Sequence, residues 1–528
     1  MTPFLQFRLW ASRGPRSERL LSAIVGAIVF ALVAWALIPT GGAKSSRLVV
    51  GRSGDVSQGG PGAPGAQGGP SSADATAAAG SGSGAAGSTG PSGGTTSQGA
   101  GVVASPTGPA GDSSGPVTGP AATIPAGCNL SSTDKGVTDS QITIGVILVD
   151  LGQLNPTLGI PSYQDEQKAY SAVFDYYNKL GGVRCRKLVP KYYQDNVLDA
   201  SSEQAACLQV EQDGAFAVIN NLYQPQEFNC IAQRRIPDVF YTSPHTPAMH
   251  QYSPYVLADT TDYDRLIKDY VLGANQLGLF NGQKLGILEQ TCYAEENTDI
   301  ESDLASIGIG PNKISKYNFG CNPSSGAADT PDQAQAAAIQ FQSAGVTVVL
   351  QTARATVQDF ANAAEKQGYR PKYVMMNDQS MSLIADSSTP IPASMNGTVS
   401  ITTDAEGETN TPGWQSDPAT ANCAKLMSQL GFPAPDDQHR LAGQLNGSAC
   451  ATTGVLVAAM SHASGLSRGL LAQGLSLAGS VELSYPAGPM HVTDPNVPTG
   501  GQSWRPAQWY TACNCWKVTD LRWRPGWN

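Results

Sequence analysis

Short apolar runs alternate with segments of helical periodicity over the second part of the chain. The run 142–149, "ITIGVILV", is mostly β-branched, as expected for a strand buried on both faces. The segment 164–182 then repeats apolar residues at helical spacing and ends in Gly-Gly. A helix predicted at 201–214 opens with a capping-box pattern, Ser201 and then Gln204. Further strands are predicted at 187–193, 216–220 and 238–242. This order predicts a parallel sheet with helices on both faces.

The same alternation restarts after residue 260. Helices are predicted near 262–278, 296–306, 334–345 and 357–369, and strands at 284–290, 346–352 and 372–376. A further helical stretch, 449–463, follows a predicted return to the first sheet. A chain of 528 residues exceeds what one hydrophobic core usually fills. We therefore predict an α/β protein with two lobes.

The first 127 residues have a different character. Residues 20–38 are uncharged and mostly apolar, and as a helix they would reach about 29 Å, close to the thickness of a bilayer. Arginines precede them, which places residues 1–19 in the cytoplasm and the rest outside. The alternative is a cleaved signal peptide, whose apolar region is normally shorter. We predict a single-pass signal anchor at 20–38, with the main domain outside the cell membrane.

Residues 43–127 are dominated by Gly, Ser, Ala, Pro and Thr. Such a composition buries too little apolar surface to offset the loss of chain entropy, so this segment is predicted to be a disordered linker. The net charge of the chain is −10, yet residues 1–52 alone are basic. The remainder is strongly acidic and has no basic stripe, which argues against a nucleic-acid partner.

All ten cysteines lie at or after Cys128. An even number confined to an exported region predicts disulfides in an oxidising compartment. Zinc binding by "CNC" at 513–515 is less favoured, because the usual two-residue gap and a nearby His are missing. The local pairs that we predict are Cys207–Cys230, Cys292–Cys321 and Cys423–Cys450.

One motif raises the question of catalysis. The sequence "GLSRG" at 465–469 matches the G-x-S-x-G pattern of a hydrolase nucleophile, which requires a strand before the Ser. The preceding residues predict a helix instead, so Ser467 is interpreted as a helix N-cap. The sequence has no P-loop, no G-x-G-x-x-G after the first strand and no H-E-x-x-H. We therefore predict a protein that is not an enzyme, with no catalytic residue, cofactor or metal.

Four stretches carry a resemblance to a known family: "GVTDSQITIGVILVD" (136–150), "YNKLGGVRCRKLVPKYYQDN" (177–196), "ACLQVEQDGAFAVIN" (206–220) and "ACNCW" (512–516). In this order they resemble the type I periplasmic binding proteins of the branched-chain amino-acid (leucine/isoleucine/valine) class. The resemblance implies two Rossmann-like lobes with parallel sheets, joined by a three-strand hinge. Lobe one would contain 137–260 and 404–482, and lobe two 261–403 and 483–528.

Ligands of open parallel sheets bind beyond the carboxyl ends of the strands. The residues that we select there are Asp150, Asn221, Tyr223, Ser243 and Thr246 in lobe one, and Tyr293, Thr352 and Asp378 in lobe two. The resemblance gives Thr246 and Asp378 specific roles, since amino-acid binders of the family use a Thr after strand four and an acid in lobe two. Asp378 would pair with a ligand ammonium group. The loop "NNLYQPQ" (220–226) departs from the serine-rich segment of the family, so Tyr223 or Tyr293 is expected to narrow the site.

The resemblance implies capture of a small polar ligand, an amino acid or an amide-like molecule, by closure of the hinge. It also implies delivery of this ligand to an ABC permease. The alternative is a membrane-tethered sensor that has the same two-lobed fold and no role in transport.

Overall fold

The computed structural model describes residues 117–118 and 134–527, except for 153–154, 156–160, 198, 221–224, 242–244, 292–293, 321–330, 352–356, 377–390, 406, 434–439 and 485–487. The described residues all belong to one compact unit, Ser105–Asn528. The predicted cytoplasmic segment 1–19, the predicted anchor 20–38 and nearly all of the predicted linker lie outside the described residues. Within the described part, no helix is long and apolar enough to cross a membrane.

The regular elements follow one another in the order that a two-sheet α/β protein requires. In chain order the strands are β1 (Val117–Thr118), β2 (Gln141–Val149), β3 (Lys187–Asp195), β4 (Ala217–Asn220), β5 (Asp238–Phe240), β6 (Val256–Ala258), β7 (Leu285–Gln290), β8 (Ile314–Phe319), β9 (Val348–Gln351), β10 (Lys372–Met376), β11 (Val399–Thr402), β12 (Ser480–Glu482), β13 (Met490–His491), β14 (Ser503–Tyr510), β15 (Cys515–Val518) and β16 (Arg524–Pro525). The helices are α1 (Tyr163–Lys179), α2 (Ala200–Gln212), α3 (Pro225–Gln233), α4 (Thr246–Tyr252), α5 (Tyr263–Gln276), α6 (Ala294–Ser306), α7 (Pro331–Ala344), α8 (Val357–Lys366), α9 (Pro418–Gln429), α10 (Arg440–His462) and α11 (Leu471–Leu477).

The first sheet is wholly parallel and has the strand order β3-β2-β4-β5-β6. Alternate residues of β2 supply cores on both of its faces. Ile144 and Val146 pack in one core with Phe174 of α1, whereas Ile147 packs in another with Val210 of α2. This two-sided burial explains the continuous apolar run of β2. We refer to this sheet and its helices as lobe one.

The second sheet has the order β15-β14-β11-β10-β9-β7-β8, with β16 paired to β14. Its strands from β7 to β11 are parallel, and β14 and β15 add to one edge in antiparallel fashion. Leu288 of β7 packs in a core with Phe341 and Phe360, and Ile287 packs on the other face with Tyr270. We refer to this sheet and its helices as lobe two. The predicted α/β class with parallel sheets is confirmed.

The junction between the lobes differs from the predicted limits. Leu483, Met490 and Val492 pack in the core of lobe one, although residues from 483 onward were expected in lobe two. In the other direction, Thr411 accepts a hydrogen bond at Oγ1 from the Val518 amide of β15 (2.8 Å), although lobe one was expected to resume at 404. The chain therefore returns to lobe one after residue 411 and passes to lobe two after residue 492. Both of these crossovers between the lobes lie later in the chain than the sequence suggested.

Two local predictions are also corrected. Ser201 does not cap α2, because the Asp199 carboxylate accepts the Ser201 amide hydrogen (2.9 Å) and the helix begins at Ala200. Val117–Thr118 fall within the predicted disordered linker (43–127), yet they form β1 and pair in parallel with Val481–Glu482. The Asp199 cap depends on a hydrogen bond between residues two positions apart. The strand β1 depends on a partner strand far along the chain. A hydrophobic pattern reveals neither contact.

Disulfides close three loops among the described residues. The predicted pairs Cys207–Cys230 and Cys423–Cys450 are confirmed. Cys513 and Cys515 also form a disulfide, as expected from the preference for disulfides over zinc binding at this motif. The remaining predicted pair, Cys292–Cys321, lies outside the described residues.

A buried ion pair ties the segment before α9 to β14 of lobe two. Glu408 and Arg505 form this pair, and both are at most 5% exposed. The Trp523 ring lies 3.6 Å from the Arg505 guanidinium. Burial lowers the pKa of Arg505 to about 9. The carboxylate of Glu408 is therefore the charge that compensates a desolvated cation.

We predict that Glu408→Ala lowers the free energy of unfolding by about 3–5 kcal/mol, because Arg505 is left buried without its counter-charge. Urea unfolding followed by circular dichroism measures this change. Arg370→Ala is the matched control, since it removes one half of the exposed pair with Glu365. An equal loss of stability in both variants would contradict the assignment.

Candidate functional site

The strand order places a crevice at the same position in each lobe. Adjacent parallel strands that are followed by helices on opposite faces leave an opening at their carboxyl ends. In lobe one this opening lies between β2 and β4, which end at Val149 and Asn220. In lobe two it lies between β7 and β9, which end at Gln290 and Gln351.

Asp150 follows β2 at the lobe-one opening, as predicted from the sequence. Its carboxylate accepts hydrogen bonds from the Gly152 amide (2.9 Å) and from Gln194 Nε2 (3.0 Å). Its own amide donates to the Asp195 carbonyl (2.7 Å). The half-buried side chain thus holds the loop after β2 in place, and its contact with a ligand stays a prediction.

Six of the eight predicted ligand residues lie outside the described residues. By sequence they directly follow strands whose carboxyl ends are now located: β4, β5, β7, β9 and β10. Their proposed position at the openings therefore still depends on chain order alone. These six residues are Asn221, Tyr223, Ser243, Tyr293, Thr352 and Asp378.

The two strands beside the lobe-two opening, β7 and β9, each end in a glutamine, Gln290 and Gln351. Gln290 is 2% exposed, and its side-chain Oε1 accepts no hydrogen bond among the described residues. The backbone is fixed nearby, since Asn297 Nδ2 donates to the Gln290 carbonyl (3.0 Å) and the Gln351 amide donates to Tyr270 Oη (3.0 Å). A buried acceptor held on a rigid strand is suited to a ligand that offers an N–H or O–H group.

Thr246, the remaining predicted residue, contacts the other lobe. It begins α4 in lobe one, and its hydroxyl donates to Asp262 Oδ1 (2.9 Å) at the N-cap of α5 in lobe two. Its backbone amide donates to Asp264 Oδ2 (3.1 Å). Thr246 therefore bridges the lobes beside the first crossover, a role that the sequence did not suggest.

His245 was not selected from the sequence, although it stands beside Thr246. Its ring Nδ1 is hydrogen-bonded to Asp264 and lies 3.9 Å from Asp299 Oδ2, and its Nε2 lies 3.9 Å from Glu295 Oε2. These carboxylates belong to α5 and α6 of lobe two. Since His245 follows β5 and α6 follows β7, the carboxyl edges of the two sheets meet at this contact. We call these four residues the interlobe seam.

The crossovers between the lobes run side by side. The Gly500 amide donates to the carbonyls of Ala258 (3.2 Å) and Thr260 (2.9 Å), and a Cβ on Gly500 would lie 2.0 Å from the Asp259 carbonyl oxygen. The Asp259 side chain is fully buried. Burial and the charge of Asp404 raise its pKa well above the ordinary value. The hinge is thus closely packed around a carboxyl group that favours its neutral form.

Comparison with solved structures identifies the architecture. A fatty-acid ABC transporter substrate-binding protein from Thermomonospora curvata shares 16% identity and a TM-score of 0.55, covering 75% of this chain and 94% of its own. A branched-chain amino-acid ABC transporter protein from Thermus thermophilus with bound valine shares 12% identity and a TM-score of 0.54, covering 74% and 97%. The chain has the type I periplasmic-binding-protein fold.

A third structure of this fold is a solute-binding protein of an ABC transporter from Rhodopseudomonas palustris HaA2, in complex with p-hydroxybenzoic acid. It shares 12% identity and a TM-score of 0.54, and the match covers 74% of this chain and 98% of the other. No protein-family model matches the sequence, and no curated protein matches it. At these identities the periplasmic-binding-protein fold is established, and the ligand is not.

The local structure around Ser467 lacks the strand that a hydrolase nucleophile requires. Ser467 comes after α10, which ends at His462, and it precedes a 3₁₀ turn at Arg468–Leu470. It is at the N-cap position that we predicted, but its hydroxyl donates to Asp134 Oδ2 (3.3 Å) instead of capping the turn. A nucleophile elbow requires a strand before the Ser, and here a helix stands in that place.

We predict that Thr246→Val lowers the free energy of unfolding by roughly 1.5–3 kcal/mol, because a hydrogen bond to the carboxylate of Asp262 is lost. Urea unfolding is the measurement. Thr298→Val is the control, since its hydroxyl bonds only to the Ala294 carbonyl on the exposed side of α6. If Thr246→Val keeps full stability but loses ligand binding, the hydroxyl serves the ligand instead.

Two buried carboxyl groups lie near each other, that of Asp195 at the end of β3 and that of Glu203 on α2. Burial raises the pKa of Asp195 to about 6. Burial and the charge of Asp195 raise the pKa of Glu203 to about 7. The folded chain therefore binds protons more tightly than the unfolded chain, whose Glu pKa is about 4.3. Stability from this pair is greatest below that value and falls as the pH rises towards 7.

Glu203→Gln should remove one of these titrations. We expect the difference in melting temperature, variant minus wild type, to increase steadily from pH 4.5 to pH 7.5, because the amide does not ionise. Thermal unfolding in matched buffers measures the difference. A difference that does not change with pH, or that reverses in sign, would contradict the assignment.

Proposed function

We propose that the chain is an extracytoplasmic solute-binding protein, anchored by residues 20–38, that captures a small polar ligand by hinge closure and presents it to an ABC permease. One observation carries this proposal. Two parallel sheets with the same core strand order bring their carboxyl edges together, where His245 of lobe one meets Asp264 of lobe two. Such an arrangement encloses a ligand between two openings.

The chemistry of the openings supports a ligand with hydrogen-bond donors, such as an amino acid or an amide. Gln290 offers a buried amide oxygen, and Asp150 offers a half-buried carboxylate. Neighbours of the same fold carry valine and p-hydroxybenzoic acid in their crystals. Both ligands are small and have a carboxylate, and valine also has an ammonium group. We keep Asp378 as the proposed partner of such an ammonium group.

A thermal-shift screen of the full-length protein against amino acids, their amides and hydroxybenzoate tests this function. A ligand present at 100 times its Kd should stabilise the folded state by about 2.7 kcal/mol and raise the melting temperature. We expect at least one α-amino acid or amide to do so. If none of these solutes changes the melting temperature, the proposal of a small polar ligand fails.

Asp378→Asn separates the ammonium assignment from the broader proposal. Loss of one charge-assisted hydrogen bond should weaken binding of an amino acid by roughly ten- to a hundredfold. Isothermal titration calorimetry measures the affinity. Asp139→Asn is the control, since Asp139 is exposed in the segment before β2, at the opposite edge of the sheet. Unchanged affinity in Asp378→Asn would show that another residue binds the ammonium group.

A further inference from the structure

The interlobe seam brings metal-ligating atoms from both lobes to one point. His245 Nδ1, one carboxylate oxygen of Asp264 and one of Asp299 all lie within 4.8 Å of one another. His245 belongs to the loop after β5, whereas Asp264 lies on α5 and Asp299 on α6. Imidazole nitrogen and carboxylate oxygen are the ligands that divalent transition metals take in proteins.

The orientation of the imidazole suits coordination by Nδ1. The other ring nitrogen, Nε2, faces Glu295 Oε2 at 3.9 Å. Ligating histidines usually donate their second ring N–H to a carboxylate, and the exposed Glu295 side chain could form this bond by moving closer. The Tyr263 ring, whose centroid lies 5.0 Å from that of His245, packs against the imidazole.

The carboxylates are also positioned for an ion. The Thr246 amide donates to Asp264 Oδ2 (3.1 Å), which leaves Oδ1 turned towards the imidazole. Asp299 Oδ2 lies 3.9 Å from Nδ1. A zinc ion about 2.0–2.2 Å from each ligand would take the place of the direct hydrogen bond between Asp264 and the imidazole, so these two groups would have to separate to admit it. The three side chains are 21–40% exposed, so water can complete the coordination.

The charge balance favours a cation. Carboxylate oxygens of Asp264, Glu295 and Asp299 all lie no more than 3.9 Å from a ring nitrogen of His245. One imidazolium offsets only one of several negative charges. Asp264 and Asp299 each bring a carboxylate oxygen to this point, within 4.8 Å of one another. A divalent ion would compensate this excess of negative charge.

We propose that His245, Asp264 and Asp299 form a binding site for a divalent transition-metal ion of the zinc type, with Glu295 orienting the imidazole. Because the ligands come from both lobes, the ion fastens lobe one to lobe two beside the hinge. None of the eight predicted solute-binding residues is a ligand of the ion, although the Thr246 amide donates to Asp264 Oδ2. It departs from the sequence-based expectation that the protein holds no metal.

The test is calorimetric titration of the full-length chain without a histidine tag, freed of metal by a chelator, with zinc chloride alone. We expect saturable binding of one ion per chain. Calcium should bind more weakly, because it prefers oxygen ligands. Absence of saturable zinc binding would overturn the proposal.

Two variants locate the ion. His245→Ala and Asp299→Asn should each weaken zinc binding by at least about tenfold. His250→Ala is the control, because His250 is exposed on α4 outside the seam. If His245→Ala fails to fold, the nearly isosteric Asp299→Asn decides. Wild-type zinc affinity in a folded Asp299→Asn, or an equal loss in His250→Ala, would overturn the assignment.

Discussion

Both faces of a parallel sheet must be covered by helices, because parallel strands expose apolar side chains alternately on each side. Each buried Val, Leu or Ile side chain contributes about 1.5–3 kcal/mol, so an uncovered face would be costly. In β2 this requirement places Ile144 and Ile147 in separate cores on opposite faces. The chain must therefore alternate strands and helices. Each loop that leads from a strand to the next helix lies at the carboxyl edge of the sheet. These edges are therefore where we expect the ligand to bind.

The hydrophobic pattern could predict elements that are buried on both faces. β2, β4, β7 and β9 are almost wholly buried, and each is found where an apolar run predicted it. The pattern missed β8, an edge strand with alternating exposure, and β6, which has only three residues. Lobe limits were misplaced because Met490 and Thr411 reach their partners through contacts that no periodicity encodes. The same holds for His245, whose carboxylate partners come from two later helices.

Polar groups at the junction connect the fold with its proposed motion. Asp262 caps α5 and also accepts hydrogen bonds from Thr246 and from Thr499, so one carboxylate joins both lobes and a later crossover. Asp264, which is hydrogen-bonded to His245 in the seam, lies in the first turn of the same helix. Movement of one lobe against the other must rearrange these charged contacts. Their free energies therefore set how readily the cleft opens and closes.

The central claim is that the two lobes close around a solute. Helices α1 and α7 follow strands β2 and β8, so their first turns lie at the carboxyl edges that face the cleft. Gln164 and Asp332 are exposed there, and dyes attached through non-natural amino acids would leave the disulfides intact. Single-molecule energy transfer between these sites measures the distance between the lobes. We predict one shorter distance when a stabilising ligand saturates the protein, and a distribution unchanged by that ligand would contradict the account.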